Sequence, residues 1–377
     1  MRRLLYISGS RADFGLMRKT LNTISLSDDF ELSIIVTGSH LNNMHGMTIT
    51  EIENEGFKIQ SKIPTIYNSP RTGESMAQDI ALIIQGIVKS MQVNKPDILI
   101  LLGDRGEMLA AAIAAIHLNI PIVHIHGGER SGTVDEPIRH AISKLSHFHF
   151  VATEESKSRL IKMGEDLNRV FVTGAPGLDG IKDTVLIKKE LLYSKFGFDP
   201  KKHLALFLFH PVHQEESRAE NDANTILRSL ENNQLQVLAI QPNSDAGSDG
   251  VRLALEKKRN NLNLKVLPHI PRHEFISFMA SSDLMIGNSS AGIIEAASFG
   301  LPVINVGLRQ NLRERNKNVM DIPVDIDLLN ESIKIQLSQR RYNNSNIFYR
   351  EQTANRITQL LKQIPINPSV LLKINAY

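Results

Sequence analysis

Short runs of Val, Ile and Leu alternate with helix-length segments from the first residues onward, and each run closes on a glycine or a polar residue. Apolar side chains at successive positions suit a strand covered on both faces, the mark of a parallel sheet between helices. The first series is LLYIS (4–8), LSIIVTG (32–38), ILILLG (98–103), IVHIHG (122–127), FHFVAT (148–153) and VFVTG (170–174). A second series is LALFLFHP (204–211), QVLAIQP (236–242), LKVLP (264–268), LMIGNSS (284–290) and PVINVG (302–307). The intervening segment from APGLD (175–179) carries Pro, Gly and many lysines, and the hinge is expected at its start.

The fold class this pattern predicts is α/β, with two Rossmann-like doubly wound domains facing a central cleft. The expected extents are residues 1–178 and a nucleotide-binding 179–350. A tail, 351–377, has the helical spacing NRITQLLKQI and is expected to return to the first domain. Open parallel sheets gather ligands at the carboxyl ends of their strands, so the crevice between the halves is the default small-molecule site.

At 377 residues the chain has the length of two domains. Lys and Arg number 43 against 40 Asp and Glu, and a net charge of +3 does not suggest nucleic acid as partner. The absence of cysteine excludes disulfides and thiolate metal sites and fits a reducing compartment. The opening MRRLLYISGSRADF has too short an apolar run for a signal-peptide core, so a cytoplasmic location is expected. The most apolar stretch, Asp97 to Ile116, is broken by Asp104, Arg105 and Glu107, well short of the ~20 apolar residues that span a bilayer, so no membrane association is expected. A homodimer is the default assembly.

Six segments bear chemistry. SGSRADFG (8–15) joins a strand to a helix, where small residues, free amides and the Arg11 fork could approach a phosphate; an ordinary tight turn is the plain alternative. GNSSAGIIEAASFG (287–300) sets Asn288, Ser289 and Ser290 at a strand-to-helix turn suited to a diphosphate, with Glu295 placed to accept ribose hydroxyls; a serine cap is the alternative. LLGDRGEM (101–108) delivers Asp104 and Arg105 to a strand's carboxyl edge. HIHGGERSGTVDEPIRHAISKLSHFH (124–149) concentrates Glu129, Asp135, Glu136, Arg139 and His140, and paired carboxylates can divide proton removal from proton donation. LFHPVH (208–213) ends a strand with His210, a phosphate donor or proton carrier, and the loop LPHIPRHEF (267–275), with His269, could wall a uracil.

Histidines two apart on a strand, His124 with His126 and His147 with His149, would share a face and open a metal-site reading, but no further ligand can be assigned to either pair. The DxD of Asp325 and Asp327 lies in a polar stretch beyond a glycine turn and is attributed to chance.

SGSRADFG, VTGSH (36–40), GDR (103–105), GGERSGTVDE with IRHAISKLSH (127–147), FHPV (209–212) and GNSSAGIIEA (287–296) occur in one order along nearly the whole chain. In this set the chain resembles the hydrolysing UDP-N-acetylglucosamine 2-epimerases of sialic and legionaminic acid synthesis, and more distantly the non-hydrolysing ones. The resemblance implies a glycosyltransferase-B-like fold closing over a UDP-sugar, with no cofactor and no obligatory metal. It implies nucleotide binding by Arg11, Ser289, Ser290 and Glu295, and chemistry by Asp104, Asp135 and His210. The sialic acid branch reads HIEGGE where this chain reads HIHGGE, so His126 stands at a glutamate, and His126 or Glu129 takes over proton transfer or the substrate differs. The expected reaction turns UDP-N-acetylglucosamine and water into N-acetylmannosamine and UDP through a glycal. The alternatives are the same reaction on UDP-N,N'-diacetylbacillosamine and a UDP-sugar transferase.

Overall fold

The computed structural model describes residues 1–377 apart from 44–45, 67–70, 244 and 262. Seven parallel strands, β1 (Arg2–Ser8), β2 (Phe30–Thr37), β3 (Ile59–Ile63), β4 (Ile98–Leu102), β5 (Ile122–Ile125), β6 (Phe148–Val151) and β7 (Val170–Val172), form one sheet in the order 3-2-1-4-5-6-7. Six more, β8 (Leu204–Leu208), β9 (Gln236–Ile240), β10 (Leu264–Leu267), β11 (Leu284–Gly287), β12 (Val303–Val306) and β13 (Val319–Ile322), form a second in the order 10-9-8-11-12-13. The molecule is thus a two-domain α/β fold of the glycosyltransferase-B kind.

The continuous apolar runs have a direct structural consequence. Leu4, Tyr6, Ile98 and Ile100 face one core cluster while Leu5, Ile7, Leu99 and Leu101 face another, so the first sheet is packed on both faces. Leu204, Leu206 and Met285 against Ala205, Phe207 and Ile286 repeat the arrangement in the second. Full burial of each such side chain contributes about 1.5–3 kcal/mol, which makes these strands firm supports for the loops at their ends.

Strand order reverses direction between β1 and β4 in one sheet and between β8 and β11 in the other. Loops leaving adjacent strands there diverge to opposite faces and open a crevice. The loops in question hold Gly9 to Arg11, Gly103 to Arg105, Phe209 to Pro211 and Asn288 to Ser290. At Gly287, φ is +134° and a Cβ would lie 2.0 Å from the Leu208 carbonyl oxygen, so only glycine lets the ends of β8 and β11 meet this closely.

The chain crosses back over the hinge near Phe348, whose carbonyl accepts from the Ala175 amide at 2.9 Å. The helix Thr353–Gln363 then packs on the helix Arg11–Ser25, placing Ile357, Leu361 and Ile364 in the core of the first sheet. Farther on, Lys373 Nζ donates to the carbonyls of Ser143, Lys144 and Ser146 at 3.0, 2.9 and 2.6 Å. The tail therefore grips the carboxyl end of the helix Asp135–Leu145, whose other end faces the crevice. Among the described residues no helix is long and apolar enough to cross a membrane.

Candidate active site

The crevice holds a cavity of ≈ 340 Å³ lined from the first sheet by Arg11, Asp104, Arg105, His126 and Glu129, and from the second by His210, His269, Ser289, Ser290 and Glu295. Asp104, Arg105 and Arg309 also line a second, adjoining recess of ≈ 240 Å³, where Asp135 lies. Residues read from distant motifs thus converge, with Asp135 one chamber away from the serines.

Arginines dominate the electrostatics. Arg139 donates to Asp104, and Arg313 approaches the same carboxylate at 3.6 Å. Burial disfavours the charge on Asp104, but the two guanidinium groups outweigh it and hold the carboxyl below its ordinary range. Asp135 behaves oppositely. Burial and the negative charge of Asp104 raise it, and Arg309, at 3.5 Å, only partly compensates. Two neighbouring carboxylates are therefore driven apart in proton affinity, the condition for one to accept and the other to donate.

His126 lies beyond the end of β5 with φ of +63°, in the left-handed region. This corrects the expectation that His124 and His126 share a strand face, because the two-residue alternation ends at Ile125. His124 is instead fully buried between the Gly103 carbonyl (2.7 Å) and the Ser143 hydroxyl (3.0 Å), and burial lowers it to about 3. His147 Nδ1 accepts from the Ile122 amide at 3.1 Å, and His149 pairs with Glu165 at 2.8 Å. His124, His147 and His149 thus serve the packing of the sheet while His126 lines the cavity, and no group of three His, Asp or Glu that could hold a metal gathers among the described residues. Asp325 caps the helix Ile326–Ser338, accepting from Asp327 and Leu328 amides.

His126 Nδ1 bonds Glu129 Oε1, and Glu129 Oε2 meets Arg313 Nη1 at 2.7 Å. Burial alone would raise Glu129, but Arg313 and His126 hold it far below the usual carboxylate range. A carboxylate so held accepts from Nδ1–H, which leaves Nε2 as the ring's other nitrogen on a side chain that lines the cavity. His210 has the complementary arrangement: its Nδ1 accepts from the Asn243 amide at 3.3 Å, so Nε2 carries the proton. Burial, with Arg309 beside it, lowers His210 to about 3, so at neutral pH it is an uncharged donor.

Five of the expected ligands have partners within the chain. Asn288 is 2% exposed and clamps the His210 backbone, accepting from its N–H at 2.7 Å and donating to its carbonyl at 2.8 Å, so it braces two strand ends and lies outside the cavity lining. The SGSR loop is not a free phosphate cradle: Asp13 accepts from the amides of Gly9 and Ser10 at 3.0 and 2.6 Å, so an anion of the chain already fills it. Arg11 donates across the crevice to the Ile270 carbonyl. Ser289 caps the helix Ser290–Ile294 and still lines the cavity with Ser290. Glu295 accepts from Arg272 at 2.8 Å, and His269 pairs with Glu51 at 2.8 Å across the crevice. Glu136 accepts from the Ser131 and Gly132 amides at 2.8 and 2.7 Å.

Residues 22–362 match the family model described as UDP-N-acetylglucosamine 2-epimerase. The chain belongs to that epimerase family. It is 46% identical over the full length of both chains to a protein of Legionella pneumophila named UDP-N,N'-diacetylbacillosamine 2-epimerase (hydrolyzing). It is 33% identical to a GDP/UDP-N,N'-diacetylbacillosamine 2-epimerase (hydrolyzing) of Campylobacter jejuni, over 88% of each chain. The crystal structure of a Neisseria meningitidis UDP-GlcNAc 2-epimerase bound to UDP-GlcNAc superposes with a TM-score of 0.78 at 19% identity, covering 96% of this chain and 100% of the other, and so shares its fold.

The epimerase site also contains groups that motif reading passed over. Arg309 and Arg313 descend from the polar segment after β12 and cross to Asp135, Asp104 and Glu129. Asp245, beyond β9, meets Arg105 at 3.5 Å. The available signal was the spacing of three arginines in GLRQNLRER, directly after a strand ending in glycine.

Proposed function

We propose that this epimerase is hydrolysing and acts on UDP-N,N'-diacetylbacillosamine, releasing UDP and the 2-epimerised 2,4-diacetamido-2,4,6-trideoxyhexose. The observation that carries the substrate reading is the likeness along its entire length to the L. pneumophila protein of that name. UDP-N-acetylglucosamine is the second reading, favoured by the family description and by a 33% identical relative of N. meningitidis named UDP-N-acetylglucosamine 2-epimerase.

The chemistry follows from which groups can move a proton. His126 Nε2 takes the hydrogen from carbon 2, Glu129 steadying the imidazolium that forms. The carbon 1–oxygen bond breaks as the carbon 1–carbon 2 double bond forms, and UDP leaves with the electron pair. Its growing negative charge is met by Ser289, Ser290, Arg309 and the Nε2–H of His210. Water then adds across the glycal, its oxygen to carbon 1 and a proton to carbon 2 on the opposite face. Asp135, raised toward protonation, supplies that proton, while Asp104, tied to two arginines, fixes their guanidinium groups.

Proton NMR in heavy water tests the scheme with both sugar nucleotides. The expected result is free UDP and a 2-epimeric sugar carrying deuterium at carbon 2, faster from the diacetamido substrate. An epimerised sugar still joined to UDP would overturn hydrolysis, and transfer only to an added acceptor would make the protein a transferase.

A further inference from the structure

The recess beyond Asp104 is unlike the cavity it adjoins. Met76 and Ile80 from the helix Gly73–Val93, Val134 and Ile138 around the start of the helix Asp135–Leu145, and Pro211 after β8 give it an apolar wall. Its charged groups are paired: Asp79 with Arg71 at 2.6 Å and Asp135 with Arg309. Thr133 differs. It is 9% exposed, it lines the recess, and its hydroxyl has no hydrogen-bond partner among the described residues. A buried hydroxyl left unbonded is unfavourable by about 1–3 kcal/mol, so such groups usually have a partner that arrives with a ligand.

Stereochemistry says what reaches this place. Carbons 1 and 4 stand at opposite ends of a pyranose ring. With the diphosphate at Ser289 and Ser290 and the ring beside Asp104 and His126, the carbon 4 substituent would point away from the serines, toward the recess that shares Asp104, Arg105 and Arg309 with the cavity. A hydroxyl there would leave most of ≈ 240 Å³ unfilled. An acylamido group has a methyl for the apolar wall and an amide for one donor or acceptor.

We propose that this recess is the specificity pocket for a 4-acylamido-6-deoxy hexose, with the Thr133 hydroxyl bonding the 4-amide. The inference rests on the hydrolysing 2-epimerase reading and adds the part of the chain that selects the sugar. Arg105 and Arg309 form the threshold between the two chambers. Met76 and Ile80, one helical turn apart, present the face on which the acyl methyl packs.

The test measures kcat/KM on UDP-N,N'-diacetylbacillosamine for the unaltered protein, Thr133→Val, Thr133→Ser and Met76→Trp. UDP-N-acetylglucosamine is followed alongside as substrate or as competitive inhibitor, and UDP affinity by calorimetry reports that each variant is folded. Thr133→Val is expected to lower kcat/KM on the diacetamido sugar about three- to tenfold, Thr133→Ser to restore it, and Met76→Trp to lower it roughly tenfold or more. The constants for UDP-N-acetylglucosamine should move much less, so selectivity changes. Equal losses on both sugars, or unchanged selectivity in both Thr133→Val and Met76→Trp, would overturn the pocket while leaving the epimerase reading intact. Failure of the unaltered protein to release UDP from the diacetamido sugar would overturn the substrate reading itself, before any variant is compared.

Discussion

Glu129 stands between His126 and Arg313, one carboxylate oxygen on the imidazole Nδ1 and the other 2.7 Å from the guanidinium. The ring is thereby fixed in one tautomer and one orientation, as a general base requires. Removing the ring by His126→Gln should lower kcat by roughly 10²–10⁴ while UDP affinity stays near its original value. Glu129→Gln turns an amide toward Arg313 and should approach the same loss. Because the two act as a unit, the double variant should be little worse than either single one. Steady-state kinetics settles it: multiplicative losses, or full turnover by His126→Gln, would remove the pair from the mechanism.

Arg313 reaches from the second sheet to two carboxylates of the first, Glu129 and Asp104. Both groups are buried, and burial by itself raises a carboxylic acid. Replacing the cation in Arg313→Met leaves that term less opposed, so both carboxylates should take up protons at higher pH than before. The acid limb of kcat/KM is expected to shift upward and the maximum to fall by roughly a hundredfold. A pH–rate profile whose acid limb does not move would show that Arg313 only holds the halves together.

What could be read from residues alone was set by burial. β4, β8 and β11 along their length, and β1 from Leu4 to Ile7, are apolar because both faces are covered, and those runs are visible in any sequence. The edge strands β3, IQSKI, and β13, VMDI, were not expected, since one side of each meets solvent and their residues are mostly half-exposed. Convergence of Asp104, His126, His210 and Ser290 followed from strand ends meeting at two switch points. The conformation of His126 did not, because a positive φ at a non-glycine residue has no compositional sign. Nor did Arg309 and Arg313, whose partners lie far away along the chain. The occupied state of the first loop was legible in principle: Ser10 and Asp13 form a capping box, and a carboxylate in the first turn competes with any phosphate.

Glu295 bears on the nucleotide. Its carboxylate is 2% exposed, lines the cavity and is oriented by Arg272. If it accepts the ribose hydroxyls, Glu295→Gln should raise KM and weaken UDP inhibition about tenfold or more, with kcat changed less than threefold. Comparison of UDP with 2'-deoxy-UDP gives the decisive reading. The original protein should prefer UDP, and the variant should lose that preference; an unaltered ratio would assign Glu295 to holding Arg272 alone.

Acid should unfold this protein through its buried histidines. Burial lowers His124 and His210 to about 3 and His147 to about 4, whereas an unfolded chain protonates histidine near 6.5. As pH falls below that value the unfolded state gains protons that the folded state refuses, so the stability present above pH 6.5 is progressively lost. Each such group contributes a slope of about 1.4 kcal/mol per pH unit. Carboxyls raised by burial, Asp13 and Asp135, act in the opposite sense, so the informative quantity is a difference between two proteins. Glu165, lowered to about 2, adds its own loss only below the ordinary carboxylate range, so of the groups whose titration costs stability in acid the histidines act between pH 4.5 and 6.5. Urea unfolding across that interval should show His124→Gln less stable at pH 7 but with a slope flatter by about 1.4 kcal/mol per pH unit. Parallel slopes would mean that His124 is protonated inside the fold, against its two neutral hydrogen bonds to Gly103 and Ser143.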